Sequence, residues 1–344
     1  MTPSLVIQTS FLGDVILTTP LIAELAKQGP VDVVATPGGA SLLLNNPHLA
    51  RLLVYDKRGS HRGVAALRTI ARSVRAPSAA AVAYCAQGSI RTAVLARLAG
   101  YRERVGFDTS VGRWLYTRRV RHDTDQHHAE RLLRLALGET VAIPAAAYRP
   151  RVYPGENEQQ AVDRLLHSAG HAGEPLLALA PGSIWATKRW PYFPDLARHL
   201  GSLGRVVVLG SHDDSALGAR ISDATSGTAI DATGKLSLLA SAELISRCAL
   251  LVTNDSAPQH LASAVGTPTV TVFGPTVPAF GFGPLAPGSV VAQHPRLPCR
   301  PCHPHGPPTC PLGHWRCMRE LMAEHVVDAA ERVLRAPLPN EARP

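Results

Sequence analysis

The 344-residue sequence predicts an α/β protein of two similar Rossmann-like halves, each with a parallel sheet covered by helices. Short apolar runs alternate with longer segments whose apolar residues recur at helical spacing. After a stretch rich in Ala and Pro at residues 141–155, the alternation starts again. We therefore place an N-terminal domain at residues 1–150 and a second domain at residues 151–320. Residues 321–344 are expected to form a C-terminal helix and tail that pack back on the N-terminal domain.

The first half is expected to contain four strands, because four short runs of Val, Ile, Leu and Ala end at turn signals. They lie at residues 4–8, 31–35, 52–54 and 79–85. Between and after them, apolar residues recur three and four positions apart, as on one face of a helix. Helices are therefore expected at residues 15–27, 61–75, 89–98 and 126–137.

The second half repeats this pattern. Strands are expected at residues 176–180, 205–209, 228–231 and 269–273. Helices are expected at residues 157–169, 193–203, 236–247 and 318–334. Strands that alternate with helices in this way pair in parallel, with the connections crossing over the sheet faces.

One more strand, beginning at Leu250, predicts a ligand site. It turns through Asn254 and continues as a helix that Asp255 or Ser256 can cap, with Pro258 in its first turn. A helix N-terminus at the carboxyl end of a parallel strand offers unpaired N–H groups to an anion, usually a phosphate. Taken alone, the segment is explained better by an ordinary strand-to-helix connection.

Composition narrows the class of protein. Hydrophobic residues make up 45% of the chain and charged residues 18%, which is typical of a folded globular protein. No apolar run approaches the length that spans a bilayer, and no basic segment precedes the first apolar run. We therefore expect a cytoplasmic protein without a signal peptide.

The net positive charge of the chain lies entirely in the first half. Residues 1–150 contain 19 Lys and Arg against 10 Asp and Glu, whereas the remaining residues contain 16 of each. Such a surface attracts nucleic acid, anionic lipid headgroups or an acidic substrate. A solvated surface without a partner is the alternative that charge alone leaves open.

Two turns carry side chains suited to chemistry. Gly13 allows a tight turn after the first strand, and Asp14 then lies at the carboxyl edge of the sheet, either as a general base or as a helix cap. Spacing alone favours the cap. In the second half, Thr187 and Lys188 offer a hydroxyl and a point charge for phosphate oxygens. The alternative for them is a surface loop pinned by tryptophan packing.

Taken together, these motifs resemble the ADP-heptose–lipopolysaccharide heptosyltransferases, which form glycosyltransferase family nine. The resemblance rests on GDVILTTP at residues 13–20, TKRWP at 187–191, NDS at 254–256 followed by His260, and TPTVTVFGPT at 267–276. The motifs occur in family order and span nearly the whole chain. Within the family, the middle motif and a cysteine cluster look most like heptosyltransferase II.

The resemblance implies a GT-B architecture, with the acceptor on the first domain and the sugar nucleotide on the second. It implies an inverting single displacement that needs no cofactor, with ADP-L-glycero-D-manno-heptose as donor and Asp14 as the general base. By the same resemblance, the donor diphosphate is held by Thr187, Lys188, Asp255, Ser256, Ala257 and His260. The acceptor it implies is the lipid A–Kdo–heptose inner core.

The resemblance offers a reason for the excess of basic residues in the first half. An inner-core acceptor is acidic and lies at the cytoplasmic face of the inner membrane, where we expect the protein to bind peripherally. The acceptor-side candidates are Gly13, Lys57, Arg58 and Arg62.

Four cysteines form a separate cluster. Cys299, Cys302, Cys310 and Cys317 follow the spacing C-x2-C-x7-C-x6-C, which can build a tetrahedral zinc site. Reduced cysteines that pack a proline-rich loop are the favoured alternative, because the chemistry implied by the resemblance needs no metal and a reducing cytoplasm disfavours disulfides.

Two other enzyme activities are compatible with the same motifs. The first is that of another family-nine transferase, which acts on O-antigen, capsule or a protein. The second is that of a sugar-nucleotide epimerase with the GT-B fold. A basic zinc module that binds nucleic acid is disfavoured, because the basic excess lies far from the cysteines and Asp14 and Lys188 stay unexplained. We therefore expect no nucleic-acid partner.

Overall fold

The computed structural model describes residues 1–336 and divides the chain into two compact units, Met1–Tyr153 and Pro154–Pro344. None of the helices within the described residues is both long and apolar enough to cross a membrane. Each unit is built around one parallel sheet of six strands. The predicted fold class, two α/β halves with parallel sheets, is confirmed.

The first unit alternates strands with helices along its length. Its strands are β1 (Ser4–Gln8), β2 (Val31–Ala35), β3 (Arg51–Val54), β4 (Val82–Cys85), β5 (Glu103–Phe107) and β6 (Arg118–Val120). Its helices are α1 (Leu12–Leu17), α2 (Thr19–Ala26), α3 (Pro37–Leu42), α4 (Gly63–Ser73), α5 (Ile90–Leu98) and α6 (His128–Leu137). The strand order across the sheet is β3-β2-β1-β4-β5-β6.

The centre of this sheet is a fully buried strand. All five residues of β1 are buried, and β1 pairs in parallel with β2 on one side and β4 on the other. Successive strands lie to one side of β1 up to β3 and to the other side from β4 onward. The loop after β1 therefore leaves the sheet where the strand order reverses, the position at which open α/β sheets bind ligands.

The prediction of a single helix at residues 15–27 is wrong. The structure has two helices there, because α1 ends at Leu17 and α2 begins at Thr19. Pro20 lies at the start of α2, where its missing N–H costs nothing. In one continuous helix, Pro20 would lose a hydrogen bond and crowd the carbonyl group of Ile16.

The second unit has the same layout. Its strands are β7 (Leu176–Ala180), β8 (Arg205–Val208), β9 (Ile230–Asp231), β10 (Cys248–Asn254), β11 (Thr269–Phe273) and β12 (Val290–Gln293). Its helices are α7 (Glu156–Ser168), α8 (Phe193–Leu200), α9 (Ser215–Ala224), α10 (Leu238–Ser246), α11 (Ala257–Val265), α12 (Arg316–Arg319) and α13 (Ala323–Arg335). The order β12-β11-β10-β7-β8-β9 repeats that of the first sheet, with β7 and β10 at the reversal.

The C-terminal helix is part of the second unit. Helix α13 packs against α8 and against β10, β11 and β12, all of the second unit. Its buried face, Val326, Ala329, Ala330 and Val333, belongs to the core of that unit. Its apolar stripe is therefore used on the second sheet, and the expected packing on the N-terminal domain stays a prediction. The predicted tail, from residue 337 onward, lies outside the described residues.

Candidate active site

Asp14 stands at the loop after β1, in the first turn of α1. Its Oδ2 accepts a hydrogen bond from Ser10 Oγ at 2.6 Å and one from the Phe11 amide at 3.3 Å. Asp14 is the third residue of α1 and Phe11 is its N-cap, so the N-cap role that the spacing favours for Asp14 is wrong. The bonds to Ser10 and Phe11 use only one carboxylate oxygen. The other, Oδ1, lies 3.4 Å from His128 Nε2, and 16% of the Asp14 side chain is exposed. These bonds therefore leave the carboxylate accessible.

The loop beside Asp14 is tied to the ends of two other strands. Gln87, after β4, accepts hydrogen bonds through Oε1 from both the amide and the hydroxyl of Thr9. Lys57, after β3, donates from Nζ to the Thr9 carbonyl at 2.5 Å. Burial, with the nearby Arg58 and Arg91 cations, lowers the pKa of Lys57. The structure thus brings one acceptor-side candidate, Lys57, to the Asp14 loop, beside Gly13 in α1.

Of the other two acceptor-side candidates, Arg58 lies near Lys57, and Arg62 stands at the start of α4. Both side chains are exposed. They belong to the basic surface at the carboxyl edge of the first sheet rather than to the contacts that hold Asp14.

The histidine pair at the start of α6 was missed by sequence reasoning. His127 caps the helix, because its Nδ1 accepts a hydrogen bond from the Ala129 amide, while His128 reaches Asp14. Burial, followed by the Arg131 cation and the neighbouring His127 and His122, lowers the pKa of His128 well below 6.5. His128 is therefore neutral at neutral pH, and the contact with Asp14 adds no positive charge.

In the second unit, Lys188 and Asp255 form a buried ion pair. Lys188 Nζ lies 2.6 Å from Asp255 Oδ2, and each residue is only 8% exposed. The same Oδ2 accepts from Thr276 Oγ1 at 2.6 Å, and Oδ1 accepts from Gln259 Nε2 at 2.9 Å. Lys188, Thr276 and Gln259 thus all donate to the Asp255 carboxylate. The Asp255 side chain therefore fixes the position of Lys188 and does not itself offer a contact to a diphosphate. Thr276 and Gln259 are further residues that sequence reasoning missed.

The N-terminus of α11 begins next to this pair. Ser256 is the cap residue and Ala257 the first helical residue, so these two amides have no intrahelical acceptor. Pro258 has no N–H, and the Gln259 amide donates to the Ser256 carbonyl. The Asp255 amide, by contrast, donates to the Val272 carbonyl of β11. His260, one turn further, is buried, and its ring meets the edge of Phe282 at 6.4 Å between centroids. The anion cradle stays a prediction, and the groups that lie at this position for it are Lys188 and the amides of Ser256 and Ala257.

Thr187 is used differently from its prediction. Its hydroxyl donates to the Pro307 carbonyl, so it fastens the proline-rich loop to the start of the TKRWP motif. Gly306 lies directly on the lysine, since a Cβ there would stand 3.1 Å from Lys188 Cε. Trp190 is buried and donates from Nε1 to the Leu321 carbonyl at 2.7 Å. The loop around residues 303–308 therefore covers one side of the cradle.

The cysteine cluster lies in the segment that carries this loop. None of the six cysteines forms a disulfide. Cys302 Sγ donates to the Cys299 carbonyl at 2.9 Å, and burial with the neighbouring thiols raises the pKa of Cys317 to about 11. Within residues 1–336, no group of three or more His, Cys, Asp or Glu side chains is arranged to hold a metal ion. The zinc prediction for Cys299, Cys302, Cys310 and Cys317 is therefore not confirmed.

Comparison with known proteins defines the class. The model of glycosyltransferase family 9 (heptosyltransferase) matches residues 67–312. The chain belongs to this family and is a glycosyltransferase. Its two similar α/β units are those of the GT-B fold.

Individual relatives place the chain among heptosyltransferases. It is 28% identical to lipopolysaccharide heptosyltransferase 1 of Pseudomonas aeruginosa, over 87% of this chain and 85% of the relative. It is 27% identical to lipooligosaccharide heptosyltransferase 2 of Haemophilus influenzae, over 80% and 84%. A family 9 glycosyltransferase structure from Veillonella parvula is 26% identical, with a TM-score of 0.84 and 97% of each chain covered. ADP-heptose lipopolysaccharide heptosyltransferase II of E. coli shares the fold at 22% identity, with a TM-score of 0.74 and coverage of 97% and 98%.

Proposed function

We propose that the protein transfers heptose from ADP-L-glycero-D-manno-heptose to the heptose/Kdo inner core of lipopolysaccharide, with inversion at the transferred carbon. The observation that carries the proposal is the buried Lys188–Asp255 pair beside the N-terminus of α11, at the reversal point of the second sheet. Such a site suits a diphosphate. The names of the relatives, heptosyltransferases of lipopolysaccharide and lipooligosaccharide, support the choice of sugar and acceptor.

In the proposed reaction, the first unit activates the acceptor and the second unit stabilises the leaving group. Asp14 takes the proton of the acceptor heptose hydroxyl, whose oxygen forms a bond to the anomeric carbon of the donor as the bond to the ADP oxygen breaks. ADP leaves with the electron pair of that bond. Lys188 and the amides of Ser256 and Ala257 stabilise the charge that develops on the leaving diphosphate. A fixed cation and a helix N-terminus supply this stabilisation without a cofactor.

Direct turnover tests the proposal. Purified protein is mixed with ADP-heptose and a defined heptose-bearing Kdo–lipid A acceptor, and ADP release is followed together with the mass and anomeric configuration of the product. We expect ADP release that depends on the acceptor, and a product one heptose larger with inverted configuration. Turnover with a different sugar nucleotide or acceptor, but not with these, would instead identify another family-nine transferase. ADP-heptose conversion without acceptor would identify an epimerase.

We further propose that the first unit binds the cytoplasmic face of the inner membrane. Trp114 is 64% exposed, and Val111 and Ile90 are exposed as well. Gly112 packs on the Ile90 backbone, which brings the segment that carries Val111 and Trp114 next to Ile90. Exposed Arg91 and Arg113 flank them. An amphipathic aromatic ring among arginines suits an anionic bilayer surface.

Vesicle sedimentation tests this second proposal. Wild-type protein should bind vesicles containing phosphatidylglycerol and not pure phosphatidylcholine vesicles, and the double variant Val111→Ser with Trp114→Ser should lose binding. The matched control, Leu312→Ser, removes an exposed apolar side chain of the second unit and should bind as wild type does. Equal binding by the double variant and wild type would contradict the assignment.

A further inference from the structure

Arg300 lies between the first two cysteines of the cluster, and its guanidinium group joins the carboxyl ends of two strands. Its Nη2 donates to the Phe273 carbonyl, at the end of β11, at 3.2 Å and to Gln293 Oε1, at the end of β12, at 3.1 Å. The same nitrogen donates to the Thr276 carbonyl at 2.9 Å, and Nη1 donates to the His294 carbonyl at 3.0 Å. One planar group therefore fixes the turn after β11 against the neighbouring strand.

The same short segment holds this turn at a second point. The Cys302 amide donates to the Pro275 carbonyl at 2.9 Å. Two consecutive carbonyl groups of the turn, those of Pro275 and Thr276, thus accept hydrogen bonds from residues that lie two positions apart. The backbone of Thr276 is therefore fixed independently of its own side chain.

The hydroxyl group of Thr276 reaches the buried ion pair. Its Oγ1 donates to Asp255 Oδ2 at 2.6 Å, and the same oxygen accepts from Lys188 Nζ at 2.6 Å. Thr276 is only 1% exposed, so little water competes for this contact. Two donors on one oxygen share its charge, so the Thr276 hydroxyl moderates the pull of the carboxylate on the ammonium group. An ammonium group has three N–H donors, so pairing with Asp255 leaves capacity for phosphate oxygens.

We propose that Thr276 and Arg300 are positioning residues for the donor diphosphate: Arg300 fixes the turn that carries Thr276, and the Thr276 hydroxyl fixes the Asp255–Lys188 pair. The inference rests on the proposed function, in which Lys188 binds the diphosphate of ADP-heptose. Both residues act through Lys188 and not by contact with the donor. A side chain that is held in place before binding loses less conformational freedom when the ligand arrives, and affinity is higher for that reason.

Calorimetric titration of the full-length protein with ADP tests the hydroxyl of Thr276. Thr276→Val keeps the branched side chain and removes the hydroxyl, whereas Thr276→Ser keeps the hydroxyl. We expect Kd for ADP to rise about tenfold in Thr276→Val and to stay within about threefold of wild type in Thr276→Ser, because a hydrogen bond to a charged group is lost only in the first.

A matched control separates this contact from the general loss of a buried hydroxyl. Thr267 is also buried, and its hydroxyl donates to the Ile245 carbonyl at 2.8 Å. It follows the C-cap of α11, whereas the proposed cradle lies at the N-terminus of that helix. Thr267→Val should therefore keep wild-type affinity for ADP.

A double-mutant cycle tests the link from Arg300 to Thr276. Arg300→Lys keeps the charge and loses the planar fork that reaches several acceptors. We expect Kd for ADP to rise about three- to tenfold, and Thr276→Val to add little in the double variant, because both changes break the same series of contacts. The control is Arg205→Lys, since Arg205 donates to the Ala169 carbonyl at 2.9 Å at the amino end of β8 and should not affect ADP binding.

Several results would overturn the inference. They are wild-type ADP affinity in Thr276→Val, an equal loss in Thr267→Val, and effects of Arg300→Lys and Thr276→Val that multiply in the double variant. If Thr276→Val does not fold, equal ADP affinity in Arg300→Lys and Arg205→Lys would overturn it. In each case a loss of ADP affinity in Lys188→Ala keeps the proposed function. Wild-type ADP affinity in Lys188→Ala would instead overturn the proposed donor site, and the inference with it.

Discussion

The two sheets have the same strand order, but the sites at their reversal points are built on opposite principles. Asp14 is held by bonds from two neighbouring residues and lies beside a neutral histidine, and it keeps contact with solvent. Lys188 is buried and already paired with a carboxylate that three side chains surround. A base must exchange a proton with its substrate, whereas a cation for a leaving group works best when fixed beforehand. The shared topology therefore sets where each site lies, and the residues after each strand set what it does.

The largest effect should come from the solvent-facing site. Asp14→Ala removes the base, and loss of a general base costs about 10²- to 10⁴-fold in rate. ADP affinity, measured by calorimetry, should stay near wild type because the donor cradle lies in the other unit. Weakened ADP binding with near-normal turnover would contradict this division of roles.

Substitution of the buried Lys188 should have a somewhat smaller effect on the rate and should also lower the stability of the protein. Lys188→Ala should lower kcat about 10²- to 10³-fold and weaken ADP binding, because one fixed donor to the developing charge is lost. It also leaves the Asp255 carboxylate buried without its cation, which typically costs about 3–5 kcal/mol.

A double variant separates these two consequences of Lys188→Ala. Lys188→Ala with Asp255→Asn should recover most of the lost stability in thermal melts and none of the ADP affinity. Recovery of ADP affinity in the double variant would show that the lysine charge is not what the donor needs.

The first unit should also be the more sensitive to acid. The folded protein keeps the pKa of His128 well below 6.5, so the unfolded chain binds the proton more readily. Folding stability is therefore fully present above about pH 6.5 and is lost as pH falls through that value, with a limiting slope of about 1.4 kcal/mol per pH unit for this group. Urea unfolding between pH 5 and 8 checks the slope. It should flatten in His128→Gln, and an unchanged slope there would assign the acid sensitivity to other groups.

A moderate effect is expected where the proline-rich loop meets the cradle. Gly306 has a φ of +85°, and a Cβ there would crowd Lys188 Cε at 3.1 Å. Gly306→Ala should therefore shift the loop and raise KM for ADP-heptose about three- to tenfold, with kcat changed less. Gly313→Ala is the matched control, because Gly313 also has a positive φ, +71°, but its Cβ would meet no atom within 4 Å. Equal KM values for the two variants would exclude contact with Lys188 as the cause.

The smallest effect is expected from metal removal. In the proposed mechanism Lys188 and the amides of Ser256 and Ala257 supply the stabilisation that a metal would otherwise give, so dialysis against EDTA should leave the transfer rate within experimental error of the untreated protein. Metal analysis of tag-free protein before and after dialysis is the companion measurement. A rate lost to EDTA and restored by one metal would show that the cradle needs an additional cation.

The parts predictable from sequence are those that local pattern determines. β1, β7 and β11 have the predicted bounds, because each is a short, fully buried run with an apolar centre that ends at a turn. β5 and β6 were missed because arginines and a glutamate interrupt their apolar pattern. The short edge strand β12 has half-buried residues and was missed as well.

At the sites, sequence could identify Asp14, Lys188 and Asp255, but not how they are held. The partner of Asp14 lies on α6, and no local pattern links a histidine at a helix start to a carboxylate so far back in the chain. Asp255 was assigned to the diphosphate because it follows a strand at a helix start, where anions bind. Its saturation by Lys188, Gln259 and Thr276 depends on tertiary contacts that spacing does not encode.

The packing of α13 on the second sheet affects the order in which the two units can fold during translation. The first unit is complete once Tyr153 has emerged, so it can fold while translation continues. The second unit cannot close its core until Val333 is available, because that residue shares one apolar core with residues of β7, β8, β10 and β11. A nascent chain would thus present a finished first unit well before the second unit could close, and chains that lack this last helix should be cut by proteases faster than the whole protein.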